Sequence, residues 1–193
     1  MTIVIPGMVT ISLLSLFYCS MLPETGRKAR MQAFERQYIA HRGFHDNRSE
    51  CPENSLPAFE RAIQMGYGIE LDVQLTKDGV PVVFHDWDLK RAAGVDRKIR
   101  DCTFEELQSY RLFGSSQTIP TFEAVLELAD GRTPLIIELK AEIVHRELCE
   151  KCAALLDRYP GEYCIESFSP LALGWFKRCL LYTSPSPRDG ATS

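Results

Sequence analysis

Three carboxylates in two short apolar segments are the residues of this chain best suited to chemistry. Glu70 and Asp72 interrupt the apolar run at residues 68–73, and Glu138 interrupts the run at residues 135–140. Alternate side chains of a strand point to opposite faces, so Glu70 and Asp72 share one face. Burying an unpaired carboxylate is costly, and few cations lie beside these three in the sequence. A bound cation, and with it an enzyme site, is the leading hypothesis.

The chemistry of these side chains narrows the class of metal. Glu70, Asp72 and Glu138 offer only oxygen atoms as ligands, and hard cations prefer such ligands. Mg²⁺ or Ca²⁺ is therefore favoured over zinc or copper. Salt bridges among carboxylates at strand ends are the structural alternative.

Two histidines lie near the ends of other predicted strands and could transfer protons. His41 ends the segment 38–41, and His85 ends the segment 80–85. Imidazole titrates near neutral pH, so one histidine can accept a proton while another donates one. The alternative for each is a hydrogen-bonded core histidine, and the sequence does not tell the acid from the base.

Two cations accompany these groups. Arg42 presents a planar fork that suits phosphate oxygens, and Lys140 supplies a point charge on the strand face of Glu138. Both would stabilise charge that develops on phosphate oxygens during a reaction. Ion pairing with the carboxylates is the alternative for Lys140.

Four further residues are weaker candidates. Glu53 could approach a metal or orient a histidine, or it could simply precede a helix. Asn54 could hold the metal-binding side chains in place without binding the metal itself, and it is also the predicted N-cap of a helix over 54–65. Phe168 could line a substrate pocket, whereas His45 is predicted to lie in a surface loop.

The elements that must position these residues follow from the periodicity. Strands are predicted at 38–41, 69–75, 80–85, 135–139 and 163–168, and the longer helices at 54–65, 122–129 and 144–158. Strands that alternate with helices favour a parallel α/β sheet, and the candidate residues lie at or near the carboxyl ends of strands. A (β/α)8 TIM barrel gathers its chemistry there. We predict such a barrel in incomplete form, with about five of its eight strands.

Composition bounds the class of protein. The 193 residues are 45% hydrophobic and 25% charged, with a net charge of −4, which fits about one domain. The mildly acidic balance gives no support to nucleic-acid binding. Seven cysteines at irregular spacing argue against a disulfide framework and favour a reducing compartment. We interpret Cys149 and Cys152, a single C-x-x-C pair, as ordinary helix residues.

An apolar segment precedes the domain. Residues 1–23 carry no charged side chain, and the stretch 3–22 is long enough to span a bilayer as a helix. Basic residues in the linker 24–36 follow it, which places the downstream domain in the cytoplasm. We predict a single-pass anchor in the cell membrane. A cleaved export signal is the alternative.

The last segment breaks the alternating pattern. Residues 180–193, with the sequence LLYTSPSPRDGATS, are turn-rich and resemble translated sequencing-adapter sequence. We interpret residues 179–193 as a non-native tail after a partial domain at 37–178; a genuine disordered tail is the alternative. A barrel without strands six to eight leaves an open edge, so we expect the chain as written to be unstable or inactive.

Five separated motifs between residues 38 and 170 resemble the glycerophosphodiester phosphodiesterase family. They are His-Arg-Gly at 41–43, Pro-Glu-Asn-Ser at 52–55, Glu-x-Asp at 70–72, His-Asp at 85–86 and Glu-x-Lys at 138–140. With its apolar N-terminal segment, the chain is similar to the anchored bacterial members.

The resemblance implies a TIM barrel that hydrolyses glycerophosphodiesters, a small-molecule substrate class, to sn-glycerol 3-phosphate and an alcohol. It implies Glu70, Asp72 and Glu138 as ligands of a divalent metal. It also implies His41 and His85 as the acid/base pair, with attack by the glycerol hydroxyl through a cyclic phosphate. A lysophospholipase D that acts on membrane lipids, and an inactive fragment or binding module, are the alternatives.

Overall fold

Strands and helices alternate along most of the chain. The computed structural model describes residues 34–35, 37–140, 146–169, 172 and 174–175. The strands are β1 (Ile39–His41), β2 (Gly68–Leu75), β3 (Pro81–Val83), β4 (Leu135–Leu139) and β5 (Tyr163–Glu166). The helices are α1 (Leu56–Gln64), α2 (Lys90–Ala93), α3 (Phe104–Leu107), α4 (Phe122–Ala129) and α5 (Arg146–Leu156), with 3₁₀ turns at Ile99–Asp101 and Leu112–Gly114.

Four of the strands form a parallel sheet in the order β1-β2-β4-β5. Helix α1 lies between β1 and β2 in the chain, α4 precedes β4, and α5 lies between β4 and β5. Parallel neighbours need crossover connections of this kind. The parallel α/β sheet predicted from the sequence is therefore confirmed.

Strand β3 departs from the parallel pattern. It pairs with β2 in the antiparallel direction, with Val73 opposite Val83 and Leu75 opposite Pro81. The connection is a tight turn in which the Thr76 amide bonds to the Val80 carbonyl at 3.1 Å. A turn this short can reverse a chain but cannot make a parallel crossover. Four described strands, rather than five, thus follow the barrel-like order.

Helix α1 begins two residues later than the sequence predicts. Ser55 is the N-cap, and its hydroxyl accepts the Ala58 amide at 3.4 Å. Asn54 precedes the cap in the left-handed conformation, with φ of 55°. The prediction of Asn54 as N-cap is therefore wrong, because its side chain bonds across to β2 instead.

The main apolar core lies between the sheet and its helices. Phe59 of α1, Phe122 of α4 and Leu148 of α5 are all at most 1% exposed. They pack against the alternate residues of the central strands, namely Ile69, Leu71 and Val73 of β2 and Leu135, Ile137 and Leu139 of β4. Replacing a buried Phe of this kind by Ala typically costs about 3–5 kcal/mol. Because one strand face is committed to this core, the polar residues between those positions project from the opposite face.

A second apolar cluster supports the segment that follows β2. Its buried members are Val82, Phe84, Leu89, Ala92, Ile99, Cys102, Leu107, Leu112 and Ile119. The sequence analysis places few elements there, yet the cluster gives residues 82–119 a core of their own. It fixes the loop that carries His85 to the end of the sheet.

Several expectations from the sequence fall outside the described residues. They are the anchor at 1–23, most of the linker at 24–36 and the tail at 179–193. Among the residues that the structure does describe, no helix has both the length and the apolar character needed to cross a membrane.

Candidate active site

The strand register brings the acidic residues into rows at one end of the sheet. Asp72 of β2 is the direct neighbour of Glu138 of β4, and Glu138 is the neighbour of Glu166 of β5. One position back along the same face, Glu70 stands beside His41 of β1. The three predicted metal ligands therefore share one sheet face, at the carboxyl ends of parallel strands.

Lys140 neutralises the two most buried of these carboxylates. Its Nζ lies 3.0 Å from Asp72 Oδ1 and 2.8 Å from Glu138 Oε1, and its side chain is 10% exposed. The backbone amide of Lys140 donates to the Val73 carbonyl at 3.0 Å, which fixes the residue beyond the end of β4. Lys140 therefore forms ion pairs with both carboxylates, and its role toward a substrate stays a prediction.

The oxygen atoms of this group are only partly taken up by the chain's own donors. In the described ranges, no group of three or more His, Cys, Asp or Glu side chains is gathered closely enough to form a metal site as it stands. Asn54 Oδ1 is nevertheless buried without a hydrogen bond from any described residue, whereas Glu138 Oε1 lies 2.8 Å from Lys140 Nζ. A buried oxygen without a donor matches the oxygen ligands that Mg²⁺ and Ca²⁺ take.

Asn54 anchors one side of this group. Its Nδ2 donates to Asp72 Oδ2 at 2.9 Å, and its backbone amide donates to the Arg42 carbonyl at 2.9 Å. The predicted role as a support for the ligand carboxylates is consistent with these bonds. The left-handed backbone at Asn54 directs the side chain toward Asp72 rather than toward the helix.

Arg42 lies at the turn after β1. It also has a left-handed backbone, with φ of 59°, and its amide donates to the Glu70 carbonyl at 2.9 Å. Arg42 Nη1 donates to Glu53 Oε1 at 3.0 Å, while its Nε lies 3.8 Å from Asp72 Oδ2. That Nε is buried and donates to no described residue. A buried guanidinium N–H without an acceptor can take an anionic oxygen.

The two predicted proton-transfer histidines reach this end of the sheet from different elements. The side chain of His41 is 60% exposed, and its Nε2 lies 3.8 Å from Glu70 Oε1. His85 Nδ1 lies 2.6 Å from Asp86 Oδ1. An ionised carboxylate only accepts, so Nδ1 carries the proton and Nε2 is the nitrogen left for a substrate.

Gln74 holds the loop that carries His85. Its Nε2 donates to the carbonyls of Phe84 and Asp86, both at 2.7 Å. This role of Gln74 is not predicted from the sequence. The signal was present, because Gln74 continues the alternation of Glu70 and Asp72 on the same face of β2.

Arg91 is a second residue that the sequence analysis misses. It donates to Glu53 through Nη1 at 3.0 Å and Nη2 at 2.5 Å, and to Asp86 through Nε at 2.6 Å. Glu53 also accepts from Asn47 at 2.9 Å. Glu53 therefore binds the guanidinium groups of Arg42 and Arg91 and the side-chain amide of Asn47, and it orients Arg42. No local pattern marks Arg91, because its partner Glu53 lies 38 residues away.

The electrostatics of Glu53 and Asp86 follow from these contacts. Burial by itself raises the pKa of Glu53, but hydrogen bonds from Arg91 and Asn47 and the charge of Arg91 outweigh it and lower the pKa to about 2. Burial likewise raises the pKa of Asp86, while hydrogen bonds from Arg91 and His85 lower it by more. Both carboxyls are ionised at neutral pH.

Glu166 is a third residue that the sequence analysis misses. Alternation along β5 places it on one face with Cys164, but only the strand register places it beside Glu138. Burial and then the negative charge of Glu70 raise its pKa. The acidic character of the site therefore extends across β5.

Two further candidates are exposed. Phe168 follows β5 with 90% of its surface exposed, and its place in a substrate pocket stays a prediction. His45 is exposed in the loop after β1, as the sequence predicts. Partial burial lowers the pKa of His45, and the charges of Glu53, Arg42 and His41 also act on that pKa, so His45 lies close to the group.

Backbone strain is concentrated in the site. Four described residues other than glycine have positive φ, and three of them are Arg42, Asn54 and Phe113, the last of which packs on Arg91. Each such conformation costs about 1–3 kcal/mol and persists where surrounding contacts over-determine it. Strained residues are common at functional sites, so this strain supports the interpretation of these residues as a functional site.

Comparison with known proteins identifies a family. Residues 41–165 match the model of the glycerophosphoryl diester phosphodiesterase family. That span includes all five motifs noted in the sequence.

The curated relatives include proteins named glycerophosphodiester phosphodiesterase and proteins named lysophospholipase D. The chain is 44% identical over 132 residues to a glycerophosphodiester phosphodiesterase of Bacillus altitudinis, a match that covers 64% of the chain and 47% of the relative. It is 33% identical over 170 residues to a human lysophospholipase D, which covers 81% of the chain and 51% of the relative. The chain thus spans about half the length of the curated relatives it matches.

Solved structures resemble the described fold. The chain superposes on an Oleispira antarctica phosphodiesterase in complex with the product sn-glycerol-3-phosphate with a TM-score of 0.68 and 30% identity, covering 77% of the chain and 64% of that protein. It superposes on a glycerophosphodiester phosphodiesterase from Parabacteroides distasonis with a TM-score of 0.66 and 31% identity, covering 77% and 63%.

Proposed function

Because this chain belongs to the glycerophosphoryl diester phosphodiesterase family, we propose that it hydrolyses glycerophosphodiesters to sn-glycerol 3-phosphate and an alcohol. The observation that carries the proposal is the row of Asp72 and Glu138, in register, with Lys140 between them and Arg42 beside them. Such a mixture of fixed positive and negative groups suits a phosphodiester, whose negative charge rises during hydrolysis.

Arg42 and Lys140 would hold the phosphate group. Arg42 has a buried Nε that lacks an acceptor among the described residues. Lys140 places an ammonium at the carboxyl end of β4. Both would be more effective on the transition state than on the substrate, since charge on the phosphate oxygens increases as the bond breaks.

His41 and His85 would transfer the protons. Asp86 holds the proton of His85 on Nδ1, so His85 Nε2 can exchange a proton with the substrate. His41 is largely exposed beside Glu70 and would serve the other proton. One histidine would activate the attacking glycerol hydroxyl, and the other would protonate the departing alkoxide, which leaves a cyclic phosphate. Attack by water on that cyclic phosphate would then give sn-glycerol 3-phosphate.

Glu70, Asp72 and Glu138 would hold a divalent cation, Mg²⁺ or Ca²⁺. The support is their oxygen-only chemistry and the buried Asn54 Oδ1 beside Asp72, which accepts no hydrogen bond from a described residue. When bound, such a cation would withdraw charge from the phosphate oxygens.

Because the chain as written is expected to be unstable or inactive, the test is release of sn-glycerol 3-phosphate from glycerophosphocholine by a full-length parent protein. We expect turnover with added Mg²⁺ or Ca²⁺ and its loss with a chelator. His41→Ala and His85→Ala should each lower kcat by about 10²–10⁴-fold, the usual contribution of general acid–base catalysis. Turnover that persists in chelator, or in His41→Ala, would contradict this mechanism.

A second candidate function is a lysophospholipase D. The specific observation is that the match to the human relative of that name covers 81% of this chain, more than the 64% covered by the bacterial relative. The same catalytic groups would cleave the same bond in a lipid that keeps one acyl chain. Rates on lysophosphatidylcholine and glycerophosphocholine, measured side by side, separate the two functions.

The membrane location is also proposed. Residues 1–23 are uncharged and followed by basic residues, which supports a single-pass anchor with the domain on the cytoplasmic side. Extraction with alkaline carbonate and protease protection of membrane vesicles would test this. Release of the chain by carbonate, or its cleavage from the outer side, would contradict it.

A further inference from the structure

Arg91 of α2 joins two parts of the site that come from different segments. Its Nη1 and Nη2 donate to the Glu53 carboxylate, and its Nε and Nη2 donate to the Asp86 carboxylate at 2.6 and 3.2 Å. The planar, five-donor guanidinium can serve two carboxylates at once.

Each of these carboxylates holds one candidate group for the reaction. Glu53 Oε1 accepts from Arg42 at 3.0 Å, and Asp86 Oδ1 lies 2.6 Å from His85 Nδ1. The Glu53 carboxylate therefore connects Arg91 to Arg42, the proposed phosphate-binding residue. The Asp86 carboxylate connects Arg91 to His85, a proposed proton-transfer residue.

The guanidinium of Arg91 is itself held in place. Its central carbon lies 5.2 Å from the centroid of the Phe113 ring, a cation–π contact. Phe113 adopts φ of 51°, a strained conformation that presents its ring there. The next residue of the helix, Ala92, is buried in the apolar cluster formed by residues 82–119.

We propose that Arg91 is a positioning residue, which orients His85 through Asp86 and Arg42 through Glu53. By fixing the Asp86 carboxylate, Arg91 keeps the proton of His85 on Nδ1 and leaves Nε2 for the substrate. By fixing Glu53, it holds the fork of Arg42 in one orientation. The catalytic consequence rests on the proposed function, but the effect on the His85 tautomer does not.

The first test reads the His85 ring directly. The full chain contains four histidines, so ring nitrogens labelled with ¹⁵N can be assigned by comparison with His85→Gln. We expect a single Nδ1–H tautomer for His85 in the native chain. Arg91→Lys, which keeps the charge but loses the fork, should give a mixture of tautomers, and Asp86→Asn should give the same change.

A matched arginine supplies the control. Arg132 is 45% exposed against 44% for Arg91, and it pairs with Glu60 at 2.9 Å, away from the site. Arg132→Lys should leave the His85 spectrum unchanged. An unchanged spectrum in Arg91→Lys would overturn the proposal. So would unfolding of Arg91→Lys, because a positioning role requires a folded variant.

The second test separates turnover from binding. Arg91→Lys should lower kcat by about 10–100-fold, the usual effect of removing a group that orients a site residue, with a smaller change in KM. Added guanidinium should restore part of the turnover in Arg91→Ala. The double variant with Asp86→Asn should be less than additive, because both changes release the same histidine.

The outcomes distinguish the two proposals. A full-length parent protein that releases no sn-glycerol 3-phosphate contradicts the proposed function, while the tautomer experiment still decides the role of Arg91. Unaltered kcat in Arg91→Lys, with an active native chain, contradicts the positioning role alone.

Discussion

At the scale of single residues, the site is organised by shared carboxylates. Asp72 accepts from Asn54 and pairs with Lys140, and Glu53 accepts from both Arg42 and Arg91. A buried carboxylate is costly unless its oxygens have positive partners or donors. Arg42 and Lys140, which would bind a substrate phosphate, thus also lower the cost of burying these carboxylates.

Glu53 predicts a defined pH dependence of stability. Its pKa is lowered from the usual 4.5 to about 2 in the folded chain. A depressed folded pKa contributes stability that is fully present above about pH 4.5 and is lost as the pH falls toward 2. At neutral pH, Glu53→Gln should lower the free energy of unfolding by about 1–3 kcal/mol, because its buried donors lose an acceptor.

Urea unfolding at about pH 7 and about pH 3 tests this expectation. The difference between the native chain and Glu53→Gln should shrink at the lower pH, because the Glu53 carboxyl is protonated in the unfolded chain at about pH 3 while it stays mostly ionised in the folded chain. Glu60→Gln is the control, since Glu60 pairs with Arg132 on the surface and its loss should matter little. A difference of the same size at both pH values would contradict the assignment.

At the scale of elements, the turn after β1 determines where two candidate residues lie. Gly43 has φ of 84° and packs against the first turn of α1. A Cβ at this position would lie 2.9 Å from the Ala58 backbone carbon and 3.0 Å from Phe59 Cδ1. Only glycine allows the chain to turn this closely, so the packing of α1 positions His41 and Arg42.

Gly43→Ala should therefore both destabilise the fold and reduce activity. The left-handed backbone costs an alanine about 1–2 kcal/mol, and the clash with α1 adds about 1–3 kcal/mol. Thermal unfolding and kcat on glycerophosphocholine measure the two effects.

Gly66 provides the matched control for Gly43. It lies just after the same helix with φ of 70°, and a Cβ there would meet nothing within 4 Å. Gly66→Ala should show only the backbone cost and retain kcat. Equal effects of the two substitutions would show that helix packing does not position the turn.

At the scale of the whole molecule, the candidate site is assembled from several segments of one sheet. The parallel register brings residues 41–54, 70–72 and 138–140 together, and the antiparallel strand β3 brings residues 85–91 to the same group. The main core on the other face holds the strands in that register. The free energy of unfolding should therefore depend on whether a ligand occupies the site.

The linkage predicts that a divalent cation stabilises the chain. A ligand that binds only the folded state adds about 2.7 kcal/mol at 100 times its Kd, so Tm should rise with added Mg²⁺ or Ca²⁺. Glu138→Gln should abolish that rise. Glu123→Gln, on the exposed side of α4, is the control and should keep it.

A rise in Tm that survives Glu138→Gln would contradict the proposed ligand set. The absence of any rise in the native chain, at cation concentrations that saturate related sites, would contradict cation binding here.

The sequence by itself determined the alternation and the residue types. Period-two patterning puts Glu70 and Asp72 on the face opposite Ile69 and Leu71, because side-chain direction in a strand is a local property. The motifs likewise identified the family, which the match over residues 41–165 confirms.

Only the tertiary structure decided the pairings. The neighbour of Asp72 is Glu138, Asn54 turns from the helix to Asp72, β3 runs antiparallel, and Arg91 reaches Glu53 across 38 residues. Each depends on how distant segments pack, and a local pattern carries no information about partners that far along the chain. The sequence therefore specified which groups could react, and the packing of the sheet and its loops specified which of them meet.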